Sequence, residues 1–152
     1  MRKFDTLLEK IKVIINSDKK RDEKLRDICR LLREEVSYYN WVGFYFVNTS
    51  NSSELILGPF IGEPTEHIRI PFGRGVCGRA AEEEKTIVVQ DVSMEENYLA
   101  CSLKVKSEIV VPIFKDNKLV GEIDIDSHYS SPFREEDRLF LEELSRLVSS
   151  MF

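Results

Sequence analysis

The chain opens with apolar residues at helical spacing. Two such series precede residue 40, and the polar stretch Asn16-Ser17-Asp18 separates them. Their apolar members are Phe4, Leu7, Leu8, Ile11 and Ile15, followed by Leu25, Ile28, Cys29, Leu32 and Val36. Intervals of three and four residues place side chains on one face of a helix. The pattern predicts two amphipathic helices within residues 1–37, with Cys29 in the core.

After residue 40 the pattern changes to extended segments rich in aromatic and β-branched residues, bounded by polar turns, which is typical of strands. The predicted strands are 41–47, 54–60, 67–70, 86–90, 107–114 and 118–125, with a glycine-rich bend at 73–78, a short helix at 80–84 and a long polar loop at 91–106. Pro132 suits the first turn of a C-terminal helix, whose apolar face includes Phe140 and Leu144. Strands in hairpins with helices at both ends predict a single α+β domain, residues 1–152, built on an antiparallel sheet.

The composition and charge of the chain argue against several classes of function. The 152 residues carry 22 basic and 27 acidic side chains, a net charge of -5. This balance gives no electrostatic attraction to nucleic acid or to anionic lipid, and no apolar stretch reaches the roughly 20 residues of a membrane span. The sequence has three widely spaced cysteines, an odd number. Such a set is not a secreted disulfide framework, so we expect thiols in the cytoplasm.

The segment Gly73-Arg74-Gly75-Val76-Cys77-Gly78 matches the dinucleotide-binding pattern G-x-G-x-x-G. Only seven residues separate Gly78 from the next predicted strand at Thr86, too few for a crossover helix. The segment is therefore interpreted as a tight turn that opens a short helix. A cysteine near a helix start experiences the helix dipole, which lowers a thiol pKa, so Cys77 is either a reactive thiol or a small core residue.

Two further features could support chemistry. Cys101 lies in the polar loop, where Lys104 or Lys106 could favour its thiolate. In Gly121-Glu122-Ile123-Asp124-Ile125-Asp126, the acids share one face of a strand, which is either solvated or buried. The partner run beginning at Ser107-Glu108 is continuously apolar and favours burial on both faces, and buried carboxyls have raised pKa values. His67 and His128 lie far from each other and from any close cysteine pair, so no metal site is predicted.

A set of short motifs in this order resembles the free methionine-(R)-sulfoxide reductases, which are single GAF domains. The motifs are Asn40-Trp41-Val42-Gly43-Phe44-Tyr45, Leu57-Gly58-Pro59-Phe60, Gly73-Arg74-Gly75-Val76-Cys77-Gly78, Ala100-Cys101, Ser107-Glu108-Ile109-Val110-Val111-Pro112 and Ile123-Asp124-Ile125-Asp126-Ser127. The resemblance implies a six-stranded antiparallel GAF sheet flanked by N- and C-terminal helices. It also implies a homodimer that reduces the free amino acid without a cofactor, with thioredoxin or another dithiol as reductant.

The resemblance also implies residue roles. The nucleophilic cysteine corresponds to Cys101 and the resolving cysteine to Cys77, although the reverse assignment stays open. The carboxylates that hold the substrate ammonium group and protonate the sulfoxide oxygen correspond to Glu108, Asp124 and Asp126. Trp41 and Tyr45 correspond to the aromatic wall against the sulfoxide methyl group.

The chain departs from the family pattern at two places. A third family cysteine, about ten residues before Cys77, is replaced at or beside His67. Family members tend to carry Gly-His before the Ala-Cys pair and an acid after it, whereas this chain has Tyr98-Leu99-Ala100-Cys101-Ser102. The alternative function is therefore a GAF module that binds a small ligand, or signals, without turnover.

Overall fold

The computed structural model describes residues 3–95, 98 and 104–152. The helices are α1 (Lys3–Ile15), α2 (Arg21–Glu35), α3 (Gly75–Glu83) and α4 (Glu135–Val148). The strands are β1 (Trp41–Val47), β2 (Glu54–Ile61), β3 (Arg69–Pro71), β4 (Ile87–Val89), β5 (Ser107–Lys115) and β6 (Lys118–Ser127). Within these residues the strands form one antiparallel sheet in the order β3-β2-β1-β6-β5-β4. The predicted fold class is confirmed.

The sheet separates two apolar cores. Ile109, Ile123 and Ile125 point towards α1, α2 and α4 and join the larger core, which also contains Cys29. The side chain of Cys29 is fully buried, as the helical pattern predicted. Alternate residues on the same strands point to the other face, where α3 packs against β5 and β6. β5 is consequently buried on both faces over Ser107–Ile113, which explains its uninterrupted apolar run.

Two predicted boundaries around α3 were wrong. The strand expected at 67–70 is Arg69–Pro71, because Ile70 pairs with Leu55 of β2 at the sheet edge, where a proline costs no central ladder bond. The helix expected at 80–84 begins at Gly75, within the predicted bend. A Cβ atom on Gly78 would lie 2.5 Å from the carbonyl oxygen of Pro71, so only glycine lets the first turn of α3 approach the end of β3.

α4 also begins later than predicted. Pro132 lies ahead of the helix, which starts at Glu135. Asp137, fully buried in its first turn, accepts hydrogen bonds at Oδ2 from the backbone N–H of Arg134 (2.8 Å) and at Oδ1 from the hydroxyls of Tyr38 (2.8 Å) and Tyr39 (2.6 Å). One carboxylate thus fixes the helix start and the segment before β1.

Candidate active site

A row of acidic side chains lies on the α3 face of the sheet. Glu122, Asp124 and Asp126 alternate with isoleucines along β6, and each is at most 1% exposed. Across the ladder, Asp126 pairs with Glu108 of β5, which is 4% exposed. The antiparallel register therefore places these four acids together, on a buried face rather than a solvated one.

Cys77 lies directly above this row. It is the third residue of α3 and 4% exposed, and its Sγ lies 3.9 Å from Oε2 of Glu108. One side-chain atom from each of Cys77, Glu108 and Asp124 lies within 4.8 Å of the others. We call these three residues the thiol–carboxyl cluster. The cluster connects α3, β5 and β6, and all three of its residues were selected as site residues from the sequence.

The environment of Cys77 overturns one expectation. Its position at the start of α3 predicted a lowered thiol pKa, but burial raises the pKa well above its ordinary value, and the charges of Asp124 and Glu108 add to the increase. Desolvation and neighbouring carboxylates outweigh the dipole of a nine-residue helix. Cys77 is therefore a protonated thiol near neutral pH in this arrangement.

The carboxyl groups are also shifted, as predicted for acids on a strand buried on both faces. Burial raises the pKa of Glu122 well above its usual range, and the charge of Asp124 adds to the increase, which the neighbouring Cys77 thiol opposes only in part. Burial also raises the pKa of Asp124, although hydrogen bonds with Glu108 and with Cys77, and the electrostatic interaction with His67, offset part of the increase. The face consequently holds neutral carboxyl groups that could donate a proton.

A small cavity opens beside the thiol–carboxyl cluster. Its lining consists of Tyr45, His67, Ile70, Arg74, Gly75, Val76, Cys77, Glu108 and Asp124. The hydroxyl of Tyr45 donates a hydrogen bond to the backbone oxygen of His67 at 2.9 Å. His67, at or beside which the resemblance implied a missing family cysteine, thus lies at the cavity with Cys77.

The two predicted aromatic residues have different surroundings. Tyr45 lines the cavity beside the cluster, whereas Trp41 lines a neighbouring one with Glu63 and Lys104. The indole N–H of Trp41 donates to the backbone oxygen of Glu63 at 2.9 Å, and its ring stacks on Phe60 at a centroid distance of 5.3 Å. Hence the structure brings Tyr45, but not Trp41, to the thiol–carboxyl cluster.

Other residues complete the comparison with the sequence predictions. Asp126 shares the buried face but is not part of the cavity lining. Cys101, the predicted nucleophile, lies outside the described residues. Sequence analysis placed Glu122 on the acidic face but did not select it as a site residue, although the same two-residue alternation indicated it. Arg74 was also missed, because only the packing of α3 brings it to the cavity.

Comparison with known proteins identifies the family. The GAF domain model matches residues 20–151. The free methionine-R-sulfoxide reductase of Escherichia coli K12 is 38% identical over 120 residues, which cover 79% of this chain and 70% of that protein. The X-ray structure of free methionine-R-sulfoxide reductase from Neisseria meningitidis, in complex with its substrate, gives a TM-score of 0.91 at 39% identity and covers 98% of this chain and 87% of that one. The chain belongs to the free methionine-R-sulfoxide reductase family.

The resemblance inferred from the motifs and the GAF fold that it implied are both confirmed. Another relative, GAF domain-containing protein A of Dictyostelium discoideum, is 37% identical over 147 residues, 97% of this chain and 90% of that protein. In residues 3–95, 98 and 104–152 of this reductase-family chain, no helix combines the length and apolar character needed to cross a bilayer.

Proposed function

We propose that this protein reduces free L-methionine-(R)-sulfoxide to methionine with a dithiol as the final reductant. The observation that carries the proposal is the thiol–carboxyl cluster of Cys77, Glu108 and Asp124, buried under α3 in a member of this reductase family. Reduction of a sulfoxide needs a sulfur nucleophile and a proton for the departing oxygen. The neutral carboxyl groups of this face supply the proton, and Cys77 supplies a second thiol that can form a disulfide with the nucleophilic cysteine.

The acids have two roles in this proposal. Those of Glu108, Asp124 and Asp126 that are ionised hold the ammonium group of the substrate, because buried carboxylates bind a cation strongly in a site of low dielectric. A carboxyl of raised pKa on the same face, such as that of Asp124, donates a proton to the sulfoxide oxygen. Tyr45 and Trp41 provide the apolar wall for the methyl group, and Tyr45 is the nearer of the two to the cluster.

The chemical step begins with Cys101, whose role follows from the family resemblance. Its thiolate attacks the sulfoxide sulfur and the carboxyl protonates the oxygen. The attack forms a sulfur–sulfur bond to the substrate. This bond and the sulfur–oxygen bond of the substrate then break as the hydroxyl passes to the Cys101 sulfur, leaving methionine and a sulfenic acid on Cys101. The cysteine sulfur is oxidised by two electrons, and the substrate sulfur is reduced by two.

Cys77 then resolves the sulfenic acid. Its sulfur forms a disulfide with that of Cys101, and the sulfenic hydroxyl leaves as water after taking up a proton. Because burial and nearby acids raise the pKa of Cys77, a neighbouring carboxylate must accept the thiol proton as the sulfur attacks. Thioredoxin or a similar dithiol reduces the disulfide by exchange and is itself oxidised to a disulfide. A homodimer, a cytoplasmic location and a single domain over residues 1–152 belong to the same proposal.

Mass spectrometry of the pre-reduced protein after one turnover tests the mechanism. With Cys77→Ser, addition of methionine-(R)-sulfoxide should add one oxygen to Cys101, which a sulfenic acid probe then labels. The parent protein should instead form a disulfide between Cys77 and Cys101, and Cys29→Ser, a change in the opposite core, should behave like the parent. Absence of any modification in folded protein that binds the substrate would favour the ligand-binding GAF module.

A further inference from the structure

We propose that the thiol–carboxyl cluster, in the substrate-free protein, binds one divalent cation of borderline softness such as Zn²⁺, which blocks the reductase site. Metal binding itself does not depend on the proposed activity, whereas the block rests on it. Cys77, Glu108 and Asp124 supply one sulfur and two oxygen ligands whose atoms lie within 4.8 Å of one another. These ligand types are those that zinc takes in proteins.

The ligands come from three elements far apart in sequence. Cys77 projects from α3, Glu108 from β5 and Asp124 from β6, so no short sequence spacing reveals the site. His67 lines the same cavity, but its imidazole nitrogens are not part of the set of mutually close ligand atoms, so the cluster itself supplies three ligands. The free space of the cavity is about 10 Å³, room for one water molecule or one ion.

A second observation points to a cation independently of the ligand set. Glu122 is fully buried beside the cluster, and apart from the weakly donating Cys77 thiol no donor among the described residues reaches either of its carboxyl oxygens. Oδ1 of Asp124, also buried, has no such donor among them either. Acceptor oxygens that are buried without donors are costly, and a bound cation compensates that cost. The cluster thus has an excess of acceptors on the face where the metal would lie.

The sulfur ligand of Cys77 determines which metal ions the site prefers. Ca²⁺ and Mg²⁺ prefer sets of oxygen ligands and retain water, whereas sulfur favours softer ions. A thiol must lose its proton to become a ligand, so metal binding to Cys77 would release protons. The occupied site would also neutralise the carboxylates proposed to hold the substrate ammonium group. Zn²⁺ and methionine sulfoxide are therefore expected to exclude each other.

Cobalt titration of the reduced, metal-free protein tests binding without requiring turnover, since Co²⁺ replaces Zn²⁺ and shows a near-ultraviolet charge-transfer band when a thiolate is bound. We expect a band that saturates at one Co²⁺ per chain, disappears in Cys77→Ser and persists in Cys29→Ser, and that Zn²⁺ removes. Glu108→Gln, which replaces one of the three ligands, should weaken binding by roughly tenfold or more. Circular dichroism of every variant establishes that it is folded.

Two results would overturn the binding proposal: no saturable thiolate band in the parent protein, or a band that Cys77→Ser leaves intact. If Cys77→Ser fails to fold, Glu108→Gln provides the test, because it keeps the thiol and removes one ligand. Unchanged Co²⁺ affinity in Glu108→Gln would also exclude the thiol–carboxyl cluster as the metal site. The block is measured as methionine formed in a single turnover without added thiol, because dithiothreitol itself binds zinc. One equivalent of Zn²⁺ should abolish it and a chelator should restore it; full turnover with zinc bound would refute the block.

Discussion

The buried carboxylate of Asp137 should contribute strongly to the stability of the fold. It accepts three hydrogen bonds, from the hydroxyls of Tyr38 and Tyr39 and from the backbone N–H of Arg134. Asp137→Ala removes all three acceptor contacts at the start of α4. Its partner Tyr39 belongs to the core on the side of the sheet that carries α1, α2 and α4, opposite the thiol–carboxyl cluster, so the change probes packing rather than chemistry.

The magnitude follows from the burial of each donor. Tyr39 is fully buried, so its hydroxyl would lose its partner without access to water, which costs about 1–3 kcal/mol. Loss of the acceptor at the helix start costs about 1 kcal/mol more. The hydroxyl of Tyr38 is only partly buried and can bond to water. We expect Asp137→Ala to lower the free energy of unfolding by roughly 3–5 kcal/mol, since bonds to a charged group are stronger than average.

Urea unfolding followed by far-ultraviolet circular dichroism measures this loss. The control is Glu136→Ala, which removes an exposed acid from the same turn and should change the free energy by less than about 0.5 kcal/mol. Asp137→Asn keeps one acceptor oxygen and should fall between the two. A loss below about 1 kcal/mol in Asp137→Ala would refute the assignment of this carboxylate as the link between α4 and the tyrosines.

Three other outcomes follow from burial. The pKa of Tyr39 is raised in the folded state, so the unfolded state loses the hydroxyl proton first, and the free energy of unfolding falls as pH rises above about 10. Urea unfolding at pH 8–11 should therefore show a smaller decrease of this free energy with pH in Tyr39→Phe than in the parent protein. Gly78→Ala places a methyl group against the carbonyl of Pro71 and should cost about 1–3 kcal/mol in the same assay. Peptide-resolved labelling with iodoacetamide at pH 7 should leave Cys29 and Cys77 unmodified until urea unfolds the protein.

Much of the fold could be predicted because its elements have strong periodic patterns. The strand over 41–47 matches β1, and the two-sided burial of β5 follows from its continuous apolar run. The start of α3 was missed because glycine has a low helix propensity, and tertiary packing of Gly78 against β3 overrides it. The start of α4 was predicted too early because Pro132 was taken as a residue of its first turn, whereas the capping contact of Asp137 sets the start of the helix.

The site was predictable only in part. Alternation along β6 placed Asp124 and Asp126 on one face, and the β5 pattern indicated that this face is buried. The proximity of Cys77 to Glu108 depends on how α3 crosses the sheet, which no local pattern encodes. The helix dipole alone predicted a lowered pKa for Cys77, which was wrong because burial and the acids beneath the thiol raise the pKa by more than the dipole lowers it.

The most direct test of the proposed function is methionine formation from separated free methionine-(R)-sulfoxide and methionine-(S)-sulfoxide. The assay uses the 152-residue chain with dithiothreitol and, in a parallel series, with thioredoxin. The account predicts methionine from the R isomer only, and none from that isomer in Cys101→Ser. Equal turnover of both isomers, or none of either by protein that is folded and fully reduced, would contradict it.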